Sequence, residues 1–430
     1  MMLKRTVATA ACMAVFAALA GAAVNADFDR GGQGVKAAAR PEAALSQEVP
    51  SAKAQPAVLE EKQPRAAADW TLMVFMNGKN NLEPYAFKNF YQMERVGSSD
   101  KLNIVVEFGR MAKHSSNDGG WKGCRRYLVQ KADDSNAISS PAVETYPQCD
   151  MGDYNRAIDF GKWAMQKYPA RHYMYIIWNH GSGWTRAGKP EVIKAISSDD
   201  ETRHRINTPQ MGDILKALGH IDVYGSDACL MQMAEVAYQI KDYTSFIVGS
   251  EENEAGDGYT YDKFLNAALA SGMSPEDVAK AAVETYTEHY GSGATQSYVR
   301  SAALKGLPGK LDAFADAVML GGDKAAVQKA RADAQHFAVE YNYRDNADLG
   351  HFVSLVINSP GCREDVKAAG GALLDYLNRE VVGLSRVTDD YSNATGLAIY
   401  LPAQGYNMTY DELAFAKSGK WPQFVKWLLN

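Results

Sequence analysis

The run Ile221-Asp222-Val223-Tyr224-Gly225-Ser226-Asp227-Ala228-Cys229-Leu230-Met231 starts as an apolar strand, breaks at Gly225 and gives way to a helical pattern just past Cys229. A second run has the same layout: the apolar segment Tyr173–Trp178 is followed by Asn179-His180-Gly181-Ser182-Gly183-Trp184. In a parallel α/β sheet, sites are built where strands end at their carboxyl termini. One sheet carrying both strands would bring His180 and Cys229 to one edge. A histidine and a cysteine at such an edge are the pieces of an activated thiol nucleophile and its base. A helix start at Cys229 would add backbone N–H groups and a helix dipole that favour the thiolate. Taken singly, a cysteine in a strand-to-helix turn is more often a small core residue. The shared layout of the two runs outweighs that reading.

The neighbours suit acyl transfer. Gly181 lacks a Cβ, so its backbone N–H is open to close approach, and with the N–H of Cys229 it makes a candidate oxyanion hole. The plainer use of this glycine, a tight turn, is compatible with that role. Asp227 reads either as the N-cap of the following helix or as a carboxylate at the floor of a pocket for a basic side chain. Glu251, Glu252 and Asp257 follow the next strand and would form an acidic lip on the same edge.

Further elements fall on either side of these runs. Strands are expected at Thr71–Met76, Leu102–Phe108 and Thr244–Ser250, with a hairpin partner at Arg125–Gln130. Helices are expected from about Glu83 to Arg95 and from near Asp153 to Tyr168, closed by Pro169. Another is capped by Thr208, carries Pro209 in its first turn and ends at Gly219. Its Met211, Ile214, Leu215 and Leu218 share one face. This alternation predicts an α/β fold with a mostly parallel central sheet flanked by helices over residues 70–270. Beyond that, Ser274-Pro275-Glu276-Asp277 opens a run of helical patterns, with a late strand at Gly396–Leu401 and a closing helix at Trp421–Leu429. Residues 271–430 are therefore read as a mainly helical region packed on the α/β domain.

The ends and the composition narrow the class. Lys4 and Arg5, the apolar run Val7–Ala20 and small residues through Ala26 follow the order of a secretory signal peptide, assigned to residues 1–26. The run is shorter than a membrane span requires, so no membrane attachment is expected once it is removed. Residues 27–69, rich in Ala, Pro, Glu, Gln and Lys, lack the apolar surface to repay ordering and read as a disordered linker or pro-segment. With 45 basic and 51 acidic residues among 430, and no basic stripe, no nucleic-acid partner is expected. The five cysteines leave Cys124, Cys149, Cys229 and Cys362 after the signal. Cys124 and Cys149 are one candidate pair, and spacing alone does not choose among the pairings. No zinc spacing, G-x-S-x-G elbow, P-loop or dinucleotide fingerprint is present.

Taken together, these residues resemble the clostripain family of cysteine peptidases, which share a fold with caspases, legumain and gingipains. The resemblance runs from about Trp70 to the C-terminus. It rests on Trp70–Asn77 with Asn80-Asn81-Leu82-Glu83, on Asp150-Met151-Gly152-Asp153, and above all on Tyr175–Trp184 and Asp227-Ala228-Cys229-Leu230-Met231. It implies a caspase-like fold, a His180/Cys229 dyad, and protein or peptide substrates cut after Arg or Lys. Asp227 is then the pocket carboxylate and Asp257 a second candidate. Family members are often precursors cut between the histidine and cysteine strands, here Trp184–Asn207, with Lys194-Ala195 the preferred site. Some members use calcium, but no loop here supplies an evident ligand set. The loop after Ser250-Glu251-Glu252 reads Asn-Glu-Ala-Gly-Asp-Gly-Tyr, where the family tends to have Pro-Gly and a Trp, which puts the preferred side chain before the cut in question. Two other readings stand beside this one: a non-catalytic secreted binding protein on the same fold, and a peptidase with a different preference at that position.

Overall fold

The computed structural model describes residues 67–133, 136–184, 196–338 and 345–430. Among these, nine strands form one sheet. They are β1 (Ala68–Gly78), β2 (Leu102–Arg110), β3 (Gly123–Leu128), β4 (Ala142–Tyr146), β5 (Ala170–Trp178), β6 (Ile221–Asp227), β7 (Thr244–Gly249), β8 (Thr295–Arg300) and, after a short β9 (Asn346–Asp348) that lies elsewhere, β10 (Val382–Val387). The spatial order is β10-β8-β7-β6-β5-β1-β2-β3-β4. The five central strands, β7 to β2, run parallel, and both flanks are antiparallel. All nine residues of β2 are buried, as expected of a strand covered on both faces.

Helices α1 (Glu83–Val96), α5 (Tyr261–Ala270) and α6 (Pro275–His289) pack side by side, as do α2 (Tyr154–Lys167), α3 (Thr208–Leu218) and α4 (Ala234–Ile240). The two groups cover opposite faces, as right-handed crossovers on either side of β1 require. The expected strands and helices form with up to three residues' change at their ends. Two local expectations fail. The cap of α3 is Asn207 rather than Thr208, because Asn207 Oδ1 accepts from the Gln210 amide while Gln210 Oε1 accepts from the Asn207 amide, both at 2.9 Å. This reciprocal pair satisfies two otherwise open donors, which a lone threonine could not do. The second concerns α4. It begins only at Ala234 with Met233 as its cap, so Cys229 lies in the connecting turn and receives nothing from a helix dipole.

The C-terminal part is helical, with α7 (Ser301–Leu304), α8 (Leu307–Gly321), α9 (Lys324–Asp333), α10 (Leu349–Ile357), α11 (Glu364–Tyr376), α12 (Ala414–Lys417) and α13 (Trp421–Leu429). It is also built into the main sheet, since β8 and β10 extend the edge begun by β7. The late strand, β11 (Ala398–Tyr400), pairs with β9 in a separate two-stranded sheet. Cys124 and Cys149 form a disulfide, while the buried Cys229 and the partly exposed Cys362 stand outside it as thiols. No helix among the described residues is long and apolar enough to cross a membrane. The signal peptide, the linker or pro-segment up to residue 66, and Lys194 lie outside the described residues, while Ala68 and Asp69, read as the end of that segment, begin β1.

One buried carboxyl ties the two parts. Glu235 on α4 accepts from the Tyr400 amide at 3.0 Å and the Tyr410 hydroxyl at 2.7 Å. Burial pushes its carboxyl up to about 7, against which the two hydrogen bonds act. The native state therefore holds a proton that the unfolded chain has released, and stability declines as pH rises from the ordinary carboxylate range through about 7. The loss is on the order of 3 kcal/mol. The melting temperature should fall between pH 5 and pH 8, and Glu235→Gln should flatten that slope. A parallel slope in the variant, read by calorimetry, would assign the effect to other acids.

Candidate active site

The register of the sheet places the two key tails. Trp178 pairs with Asp227 across β5 and β6, so His180 and Cys229 each follow two residues beyond the same rung. The Asn179 amide donates to the Asp227 carbonyl at 3.2 Å, continuing the ladder. Beyond it the tails touch. A Cβ on Gly181 would lie 2.2 Å from the Cys229 carbonyl oxygen and 3.0 Å from its nitrogen. Only glycine permits that approach, and it sets the backbone of His180–Gly181 against that of Cys229.

His180 is half-buried, and its Nε2 lies 2.7 Å from Oδ1 of Asn81, which follows the carboxyl end of β1. With that amide oxygen toward the ring, Nε2 carries the proton and Nδ1 the lone pair. Residue 81 had appeared in a family-like run without a role; its strand-end position on β1, next to β5, was the available signal. Behind His180, its carbonyl accepts from the Ser197 amide at 3.2 Å. Ser197 and Ser198 are held in turn by Asn77, Asn80 and Asn179. Lys79, fully buried, pairs with Asp199 at 3.2 Å and donates to the Cys149 carbonyl. A buried cation so enclosed fixes residues 197–199, because removing either partner would strand a charge.

Cys229 is fully buried. Its Sγ accepts from the Glu254 amide at 3.2 Å, and the Glu254 carbonyl lies 3.8 Å away. The turn that holds it is stitched to the loop after β7, with the Leu230 and Gln232 amides donating to the carbonyls of Glu252 and Ser250. Leu230 adopts a left-handed φ of 62° to make that turn.

The acids divide into two groups. Asp227 does not cap α4. Its buried carboxylate accepts from the Tyr259 amide at 3.1 Å and the Tyr261 hydroxyl at 2.9 Å. Burial pushes it up to about 7, opposed by contacts that include Glu254 and Tyr261. Gly258, with a φ of 57°, passes directly over it, and the adjoining Asp257 points outward to an ion pair with Lys88. Asp227, at the end of β6, thus lies beneath the loop whose Asp257 faces outward. Glu251 and Glu252 form no lip. Glu251 accepts from the Gly396 amide at 3.0 Å and contacts the Asp348 carboxyl. Glu252 accepts from the Ala338 amide at 2.9 Å. Both carboxyls are used to bind the C-terminal part, since buried acids need donors and those donors lie there. No group of acidic, histidine or cysteine side chains able to hold a metal ion occurs among the described residues.

Comparison with known proteins bears on the fold and the family. A secreted C11 cysteine protease from Bacteroides thetaiotaomicron, solved with an irreversible peptide inhibitor, superposes with a TM-score of 0.59 at 18% identity, covering 84% of this chain and 99% of that one. An inactive zymogen C11 protease from Parabacteroides distasonis gives 0.61 at 19% identity, with 83% and 99% covered. These show the caspase-like α/β fold. Clostripain of Hathewaya histolytica is 26% identical over 223 residues, which is 47% of this chain and 42% of that protein, so the match spans less than half of the relative. The model of the clostripain family matches residues 74–427. The chain belongs to the clostripain family of cysteine peptidases.

Proposed function

We propose that this chain is an exported cysteine endopeptidase that cleaves proteins after Arg or Lys, with Cys229 as nucleophile and His180 as its base. The observation that carries the proposal is the packing of Gly181 on the Cys229 backbone, which needs both strand ends at one level of the sheet. In this scheme the Cys229 thiolate attacks the scissile carbonyl. The N–H groups of Gly181 and Cys229 hold the oxyanion, each donor contributing about 3 kcal/mol in the transition state. His180 gives its proton to the leaving amine and then activates the water that hydrolyses the thioester. Asn81 keeps the imidazole in one orientation and tautomer.

Basic specificity is supported by the chemistry of the loop Asp257–Tyr259 around Asp227. A cationic side chain reaching this loop would meet the outer Asp257, with the buried Asp227 beneath Gly258 as the second carboxyl, and a charge-assisted pair with a carboxylate is strong. Export is supported by the order of residues 4–26, and secretion is a stated property of the Bacteroides neighbour. Self-processing between Trp184 and Asn207, with Lys194 preferred, is in keeping with the zymogen state of the Parabacteroides neighbour.

Two experiments test the scheme. Fluorogenic peptides ending in Arg or Lys should be cleaved, and Cys229→Ala should lose at least about a thousandfold in kcat/KM, as expected on deleting a covalent nucleophile. Intact mass of the same pair should show a cut within 184–207 only for the wild type; identical cutting in both would assign it to another protease. For His180, Asn81→Ala should lower kcat about tenfold with little change in KM and shift the acid limb of the pH profile. An unchanged profile would remove Asn81 from the scheme.

A further inference from the structure

The loop that follows β7 carries an acid that nothing above employs. Glu254 sits among Asn253, Ala255, Gly256 and Gly258, a composition that usually faces water, yet it is 1% exposed. Its carboxyl is in contact with that of Asp227, with the side chain of Gln296 beside it. Burial, then the charge of Asp227, push the Glu254 carboxyl well above the usual carboxylate range. Two carboxyls closed off from water cannot both be ionised, so one proton is held between them. The groups facing this pair are tyrosines: Tyr259 just before α5, Tyr261 at its start, and Tyr286 and Tyr290 on and just past α6. His180 and Cys229 lie on the adjoining tails.

Burying a glutamate against an aspartate is unfavourable unless the two share a proton and meet further donors, here Gln296 and the Ala228 amide. What the contact holds is on the same residue. The peptide of Glu254 is the one whose N–H donates to Cys229 Sγ at 3.2 Å. A hydrogen bond donated to sulfur favours the charged thiolate over the thiol. With α4 starting too late to help, this amide takes the place of the helix terminus that often depresses a cysteine's pKa.

We propose that Glu254 is a positioning residue for the nucleophile: its carboxyl, docked on Asp227 through a shared proton, holds the Glu254 N–H against Cys229 Sγ and so stabilises the thiolate. This rests on Cys229 being the nucleophile. It adds to that reading a coupling between the acid pair and the ionisation of the thiol. The proton shared by the two acids stays with them while Cys229 loses its own to solvent or to His180.

The test is a titration of thiolate absorbance at 240 nm between pH 4 and pH 9, taken as the full-length protein minus Cys229→Ala so that Cys362 cancels. The wild-type midpoint should lie at least about one pH unit below the ordinary thiol value of about 8.5. Glu254→Ala should raise the midpoint by about one unit and lower kcat/KM near pH 6.5 by about tenfold, mainly through kcat. Glu254→Gln, whose amide can still donate to Asp227, should recover at least half of the shift. If the alanine variant does not fold, Glu254→Asp, one methylene too short to keep both contacts, takes its place. A wild-type midpoint at or above 8.5, or coincident midpoints in wild type and variant, overturns the proposal. If Cys229→Ala keeps its peptidase activity, the assignment of the nucleophile fails instead, which separates the two ideas.

Discussion

Parallel pairing of β5 with β6 is the constraint on which the rest depends. Trp178 stands opposite Asp227, and that one register decides which residues leave the sheet together. A slip by one residue would turn every side chain of the strand to the other face and carry the histidine tail away from the cysteine turn. Hydrophobic cover enforces it. Met174, Ile176 and Trp178 alternate with Tyr175 and Ile177 between two helical layers, and all five are buried. The site is thus a by-product of core packing up to the sheet edge, and only beyond it do Gly181, Asn81 and Glu254 begin to act.

The loop after β7 joins the two halves of the molecule. Toward the sheet it places an amide on Cys229 and wraps Asp227. Toward the C-terminal part, Glu251 and Glu252 hold Gly396, Asp348 and Ala338. Four acids within this small region are buried, and their charges are managed by sharing protons or by backbone donors rather than by lysine or arginine. Such groups stabilise only while every partner is present, so a change in the C-terminal part would be felt at the cysteine turn.

What the sequence disclosed follows the range of the forces involved. Strand ends at His180 and Cys229 were legible because apolar runs and glycine breaks are local signals. The α3 cap was missed by one residue since Asn207 and Thr208 are both good caps, and only the reach of Gln210 chooses between them. Glu251 and Glu252 were read as an exposed lip, and nothing singled out Glu254, because acidic residues in such loops usually face water. Their burial depends on Gly396, Ala338 and Gln296, partners too far along the chain for any window to link. Asn81 shows the same limit, since its role exists only once β1 and β5 are neighbours.

Trp184 closes the histidine tail by packing its ring against Tyr400 and Tyr410, with centroids 4.9 and 5.0 Å away. On the far side of the intervening stretch, Ile196 exchanges hydrogen bonds with Ile206. Both ends are thus anchored independently of the peptide bonds between them. A chain severed there would keep its shape but change the order of its folding reaction. Before the break, β5 and β6 find each other within one molecule; afterwards the same pairing is an encounter between two, and its yield depends on concentration. The uncut protein could recover from unfolding at high dilution, and the cut one could not.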